Sequence, residues 1–251
     1  MQSALAGLSL LVLGDSHWAA PQYLAHTLQD QLIQRGARVV SFAACGAPAS
    51  IWLSARVASC GTAQRVQNGQ LEQVRGANAR TTPLDELVRQ YRPNMIVVSM
   101  GDTMAGYVQR TFPRDNIRDE VQALTDRIKS LNLPCIWIGP SWGTEGGPFL
   151  KTFDRVREMS AYLATIVTPC TYVDSTRLSQ PGQWATFDGQ HYTVDGYRAY
   201  GQALAQTIAA MPEVQAAARA GQAAGGAAPA APAQGGARPA APAAPAPAQR
   251  R

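Results

Sequence analysis

Five short apolar runs, separated by segments of helical periodicity, constrain the fold of this 251-residue chain more than any other feature. The runs lie at residues 10–13, 39–44, 95–100, 135–138 and 172–174. Most are followed by glycine or small polar residues, which is typical of buried strands that enter turns. Strands that alternate with helices pair in parallel through right-handed crossovers. The pattern therefore predicts a three-layer α/β/α sandwich with a five-stranded parallel sheet.

The segments between these runs carry apolar residues at helical spacing, with polar residues on the other face. Helices are predicted over residues 21–35, 83–90, 116–131, 149–166 and 194–211. Residues 50–79 have a weak and polar pattern instead, so we expect a loop-rich segment there that could include one short helix.

The composition of the chain changes near residue 214. Beyond that point it is almost entirely Ala, Pro, Gly and Gln, and such a sequence is not expected to bury a core. We therefore expect one folded domain over residues 1–214 and a disordered tail over residues 215–251. Four of the 22 basic residues lie in the tail, which has no acid, so the predicted domain is nearly neutral. A neutral domain without a basic stripe argues against nucleic acid as a partner.

The first apolar run leads directly into Gly14-Asp15-Ser16. Ligands of open α/β sheets bind beyond the carboxyl ends of the strands, so Ser16 would lie where a substrate arrives. A serine hydroxyl alone is a poor nucleophile. It needs a base, a group that orients the base, and donors for the oxyanion.

His191 and Asp188 are the candidates for the base and its orienting group. A carboxylate three residues before the histidine, in a turn that contains glycine, can reach Nδ1 and leave Nε2 free for the serine. Each motif alone has a plainer interpretation, because Gly-Asp-Ser is often an ordinary turn and Asp-x-x-His often caps a helix. The side chain of His17, next to the serine, is expected to point elsewhere, and His26 falls within a predicted helix.

Four blocks in this order resemble the SGNH (GDSL-type) hydrolases. They are Gly14-Asp15-Ser16 after the first strand, Gly46 after the second, Gly101 after the third and Asp188-x-x-His191 before the last helix. The resemblance covers residues 8–211 and implies a flavodoxin-like sheet, with Ser16 as nucleophile, His191 as base and Asp188 as its partner. It also implies an oxyanion hole formed by the main-chain N–H groups of Ser16 and Gly46 and by an asparagine side chain. This chemistry needs neither a metal nor an organic cofactor.

The asparagine of the resembled family is missing. The family's third block reads Gly-x-Asn, whereas this chain reads Gly101-Asp102-Thr103, which places Thr103 at the position of the third donor. A threonine hydroxyl donates one hydrogen bond but reaches less far than an amide. Losing one oxyanion donor costs about 3 kcal/mol in the barrier, so we expect activity to survive in a weakened form. Departures at this block also occur in family members that transfer acetyl groups to cell-surface polysaccharide.

We therefore expect a serine esterase that hydrolyses or transfers an acyl group, with acetyl on a carbohydrate or cell-envelope polysaccharide as its substrate. The alternative, suggested by the missing asparagine, is a catalytically degenerate binding module for a cell-envelope glycan. Three aromatic residues fall on loops at the same edge of the sheet, where they either stack on a sugar or acyl group or close the core. They are Trp18, Trp142 and Tyr192.

The four cysteines bear on the cellular compartment. They are either buried thiols of a cytosolic protein or members of two disulfides. Cys45 and Cys60 would close a loop of about sixteen residues beside Gly46. In the strand order typical of the resembled family, the strands at Cys135 and Cys170 are neighbours, which implies a second bridge.

Disulfides persist in the periplasm or outside the cell, so we expect a periplasmic or secreted protein. The chain given has no basic n-region of a signal peptide and no apolar run long enough to span a bilayer, so no transmembrane segment is expected. A cytoplasmic location is the alternative.

Overall fold

The computed structural model describes residues 4–226 and contains a seven-stranded sheet of order β4-β3-β2-β1-β5-β6-β7. The strands are β1 (Ser9–Gly14), β2 (Arg38–Ala44), β3 (Thr62–Val66), β4 (Glu72–Val74), β5 (Met95–Ser99), β6 (Cys135–Ile138) and β7 (Thr171–Val173). The helices are α1 (Leu24–Gln34), α2 (Leu84–Tyr91), α3 (Arg114–Ser130), α4 (Phe153–Ile166), α5 (Val194–Ala210) and α6 (Pro212–Gly226). The strands β2, β1, β5, β6 and β7 run parallel and coincide with the five predicted runs.

Helices cover both faces of the sheet. Along β1, Leu10 and Val12 pack with α1, α5 and α6 on one face, whereas Leu11 and Leu13 pack with α2, α3 and α4 on the other. Successive side chains of a strand point to opposite faces, so a strand buried on both sides is apolar throughout. The predicted three-layer sandwich is confirmed. None of the helices within residues 4–226 is long and apolar enough to cross a membrane.

The sheet has two more strands than predicted. The segment predicted to be loop-rich contains an antiparallel hairpin, β3 and β4, that pairs with the outer edge of β2. The strand β3 lacks apolar alternation because its buried residues are Ala63 and Arg65. Arg65 tolerates burial since Asp30 and main-chain carbonyl oxygens accept its hydrogen bonds. A buried arginine hides the period-two pattern from sequence-based reasoning.

The last helix, α6, extends past the predicted domain boundary at residue 214. Val214, Ala217 and Ala218 are buried in the core cluster that contains α1 and α5. The side chain of Gln222 donates a hydrogen bond to the main-chain oxygen of Ala6, at 2.7 Å. The prediction of disorder is therefore wrong for residues 215–226, because alanine is the best helix former and its small side chain allows close packing. The remainder of the predicted tail, residues 227–251, lies outside the described residues.

Two disulfides join the cysteines in the predicted pairs. Cys45 and Cys60 are 5.2 Å apart at Cα and join the end of β2 to the start of β3. Cys135 and Cys170 are 4.6 Å apart at Cα, at the beginnings of the neighbouring strands β6 and β7. Both predicted pairings are confirmed.

Candidate active site

The predicted nucleophile and oxyanion donors lie beyond the carboxyl ends of β1, β2 and β5. The register of the sheet pairs Gly14 of β1 with Ala43 of β2 and with Ser99 of β5, so the segments that follow these strands leave the sheet side by side. Three residues from these segments line one cavity of about 520 Å³. They are Ser16, Gly46 and Thr103.

Ser16, His191 and Asp188 are joined by two short hydrogen bonds. Ser16 Oγ lies 2.7 Å from His191 Nε2, and His191 Nδ1 lies 2.8 Å from Asp188 Oδ2. Asp188 Oδ1 accepts the main-chain N–H groups of Gln190 and His191, at 3.0 and 2.7 Å. Gly189 permits this tight turn with a φ of +88°. The turn therefore fixes the carboxylate relative to the imidazole ring.

The surroundings of His191 and Asp188 favour a neutral base beside an ionised carboxylate. Burial lowers the pKa of His191, against the opposing effect of Asp188. Burial alone would raise the pKa of Asp188, but hydrogen bonds from the ring and main chain of His191 outweigh it and leave that pKa lowered. A neutral imidazole whose Nδ1–H is directed at a carboxylate presents its Nε2 lone pair to Ser16. The arrangement can therefore accept the serine proton.

The main chain at Ser16 and Gly46 leaves two N–H groups available for a ligand. Ser16 begins a 3-10 turn, Ser16–Trp18, and the first N–H groups of a helical turn have no partner within it. Gly46 has a φ of +70°, and a Cβ at this position would collide with the side chain of Ser59. Within residues 4–226, neither N–H group pairs with a protein acceptor. Thr103, the predicted third donor, is exposed to the cavity.

A buried charged cluster adjoins the serine turn, and sequence reasoning misses it. Lys151 Nζ lies 2.7 Å from Asp102 Oδ1, and their side chains are 0% and 2% exposed. His17 Nε2 lies 3.0 Å from Asp102 Oδ2, while His17 Nδ1 faces the hydroxyl of Tyr197 at 2.8 Å. The hydroxyl of Tyr107 also donates to Asp102. Lysine is rarely buried, so nothing in the sequence near Lys151 indicates this cluster.

The three aromatic residues predicted at this edge close the core. Trp18, Trp142 and Tyr192 are 1%, 7% and 1% exposed, so they offer little surface to a ligand. Phe149 lines the cavity instead, with its ring centroid 5.7 Å from that of His191. The sequence places Phe149 in the helix predicted over residues 149–166. In the structure α4 begins only at Phe153, so Phe149 lies on the loop before the helix.

Comparison with known proteins gives one close relative in sequence. Protein BcsX from Komagataeibacter xylinus is 37% identical over 216 residues, which cover 86% of this chain and 81% of BcsX. The chain belongs to the same family as BcsX. No model of a known protein family matches the chain.

Solved structures with similar folds are much more distant in sequence. A DUF4886 family protein from Bacteroides uniformis has a TM-score of 0.52 and 15% identity, covering 85% of this chain and 92% of its own. TesA has a TM-score of 0.52 and 14% identity, with 80% and 97% covered. The acetyl xylan esterase AlAXEase has a TM-score of 0.51 and 12% identity, with 80% and 100% covered. The chain has the SGNH (GDSL-type) hydrolase fold.

Proposed function

We propose that the protein is an SGNH-type serine esterase in which Ser16 is the nucleophile, His191 the base and Asp188 its orienting partner. The observation that carries the proposal is the continuous set of hydrogen bonds from Ser16 Oγ through His191 to Asp188. Nucleophile, base and orienting carboxylate in contact are the signature of covalent acyl transfer.

The proposed reaction uses these contacts. His191 Nε2 accepts the Ser16 proton while Oγ attacks the ester carbonyl carbon, and the carbonyl π electrons move to the oxygen. The main-chain N–H groups of Ser16 and Gly46 and the hydroxyl of Thr103 stabilise this oxyanion. The intermediate collapses as His191 returns the proton to the leaving alcohol, which leaves an acyl group on Ser16. Water, or the hydroxyl of an acceptor, then attacks the acyl carbon and gives its proton to His191. The bond from the acyl carbon to Ser16 Oγ breaks as His191 returns the proton to Oγ, which releases the acid or the new ester.

Acetyl on a carbohydrate or cell-envelope polysaccharide is the substrate class we propose. AlAXEase, which shares the fold, is an acetyl xylan esterase. The cavity beside Ser16 is lined by the aromatic residues Tyr107 and Phe149 and by Gln109 and Gln190, a mixture that suits a sugar ring. A cavity of about 520 Å³ has room for more than an acetyl group, so the alcohol part of the ester also fits there.

We also propose that the protein works in the periplasm or outside the cell, because two disulfides need an oxidising compartment. No nucleic acid partner is proposed, since the basic residues outside the tail are balanced by acids. A binding module that has lost catalysis is the second candidate, favoured by Thr103 in place of the asparagine.

Turnover of p-nitrophenyl acetate separates the two candidates. The esterase requires turnover that disappears in Ser16→Ala and persists in Ser54→Ala, a matched change at an exposed serine. Acetate release from acetylated glycans, with and without an unacetylated acceptor glycan, then separates hydrolysis from transfer. A parent protein that is inactive on several acyl esters but binds a glycan would replace the esterase with the binding module.

A further inference from the structure

The buried cluster of Asp102, Lys151 and His17 has no part in the proton transfer described above. Lysine and aspartate are almost never fully buried without a partner, and removing them from water costs more than a well-packed apolar pair. Burial of Lys151 with Asp102 is therefore poor evidence that the cluster only stabilises the fold. Its position next to the proposed site indicates a functional role instead.

The hydrogen bond from His17 Nε2 to Asp102 Oδ2 connects two short 3-10 turns that follow neighbouring parallel strands. The first turn, Ser16–Trp18, carries the nucleophile and its N–H group. The second, Asp102–Met104, carries Thr103. The bond thus lies between two of the three groups assigned to the oxyanion hole.

The other contacts of the cluster hold this bond in one geometry. Lys151 and Tyr107 donate to Asp102 Oδ1, which leaves Oδ2 for His17. The hydroxyl of Tyr197 lies 2.8 Å from His17 Nδ1 and can donate to it, so that Nε2 carries the proton given to Asp102. Both nitrogens of the ring are engaged, and the ring has little freedom to rotate.

We propose that His17, Asp102 and Lys151 are positioning residues that set the distance between the Ser16 N–H group and the Thr103 hydroxyl. The proposal rests on the esterase function above. Lys151 supplies the counter-charge that lets Asp102 accept from His17 as a carboxylate in a buried site. Thr103 reaches less far than the family's asparagine, so its placement relative to Ser16 tolerates little displacement.

A positioning role predicts a loss in kcat without a matching change in KM. Oxyanion donors act on charge that develops in the transition state, so misplacing one leaves ground-state binding nearly intact. Complete loss of one donor lowers kcat by about 100- to 1000-fold, and a donor that is only misplaced should lose less than that. We expect His17→Leu to lower kcat by about 10- to 100-fold with KM changed by less than about twofold.

Two further variants test the hydrogen bond itself. Glutamine places an amide N–H at about the reach of Nε2, so His17→Gln should recover most of the lost kcat. Asparagine reaches only as far as Nδ1, so His17→Asn should remain as slow as His17→Leu. If His17→Leu does not fold, the comparison of the two amide variants still decides the question.

Gln29→Leu is the matched control. Gln29 is 0% exposed and bonds to Ser41 in the core, so its loss removes a buried polar contact that does not touch the site. It should lower the melting temperature while leaving kcat unchanged. Kinetics of all variants on p-nitrophenyl acetate, measured below their melting temperatures, supply the readout.

Equal kcat for His17→Gln and His17→Asn, a rise in KM instead of a fall in kcat, or a comparable kcat loss in Gln29→Leu would each overturn the positioning role. If parent turnover disappears in Ser16→Ala while the His17 variants are fully active, the positioning role alone fails. If the parent has no turnover that depends on Ser16, the esterase and the positioning role fail together.

Discussion

Replacement of Asp188 by asparagine tests the proposed triad most directly, because the surrounding contacts determine which way the new amide points. Asp188 Oδ1 accepts two main-chain N–H groups, from Gln190 and His191, and only an oxygen can take that place. The asparagine NH₂ group must then occupy the position of Oδ2, 2.8 Å from His191 Nδ1. A donor there forces Nδ1 to be the acceptor and places the ring proton on Nε2, facing Ser16.

The wrong tautomer cannot accept the serine proton, so the rate should fall while the fold remains. The same change in a comparable serine triad lowers kcat by about four orders of magnitude. That factor corresponds to about 5 kcal/mol in the barrier. The assay is kcat/KM for p-nitrophenyl acetate, with circular dichroism and thermal melts to verify folding.

Asp195→Asn is the matched control for this change. Asp195 lies four residues after His191, in the first turn of α5, and its carboxylate is exposed and pairs only with Arg198 among the described residues. It should leave kcat/KM within about twofold, as surface ion pairs contribute little. A fall of less than about tenfold in folded Asp188→Asn would refute the assigned role of Asp188.

Three further outcomes are expected. Since the pKa of His191 is lowered by burial and the base must be neutral, kcat/KM should fall only as the pH drops below about 6.5, and a midpoint at or above that value would contradict the assignment. Replacing Cys135 and Cys170 together by alanine opens a bridge with a sequence separation of 35 and should lower the free energy of unfolding by about 4 kcal/mol in urea titrations; no change would argue against the bridge. A chain that ends after Met211 loses the buried residues of α6 and should melt about 5 °C or more below one that ends after Gly226, whereas equal melting would show that α6 does not stabilise the domain.

The parallel core and the contact between Asp188 and His191 could be predicted from the sequence because their signals are local. The strand before Gly14-Asp15-Ser16 is buried on both faces, so it is apolar throughout. Its own residues therefore identify it as a buried strand, whichever strands pair with it. Asp188 and His191 are three residues apart, and the turn between them makes their contact with its own main chain. Local signals of this kind do not depend on the rest of the fold.

The elements that could not be predicted depend on distant partners. The strand β3 buries Arg65, which is possible only because Asp30 lies beside it in the folded chain. Lys151 is buried only because Asp102, 49 residues earlier, accepts its hydrogen bond as a carboxylate. In both cases a charged residue in a core position has the local signature of a surface residue.

Two parts of the proposed site, the Asp188–His191 turn and the groups around Ser16, are therefore held in place by different contacts. The bond between Asp188 and His191 lies within one turn, whereas Ser16 reaches His191 across a separation of 175 residues. The position of Ser16 relative to Gly46 and Thr103 depends on sheet register, since a shift of β1 against β2 or β5 would move Ser16 away from one or the other. The hydrogen bonds of the sheet end with the strands, two or more residues before the groups proposed to contact the substrate. The cluster around Asp102 and the Cys45–Cys60 bridge both lie in that gap, where side-chain contacts must replace the hydrogen bonds of the sheet.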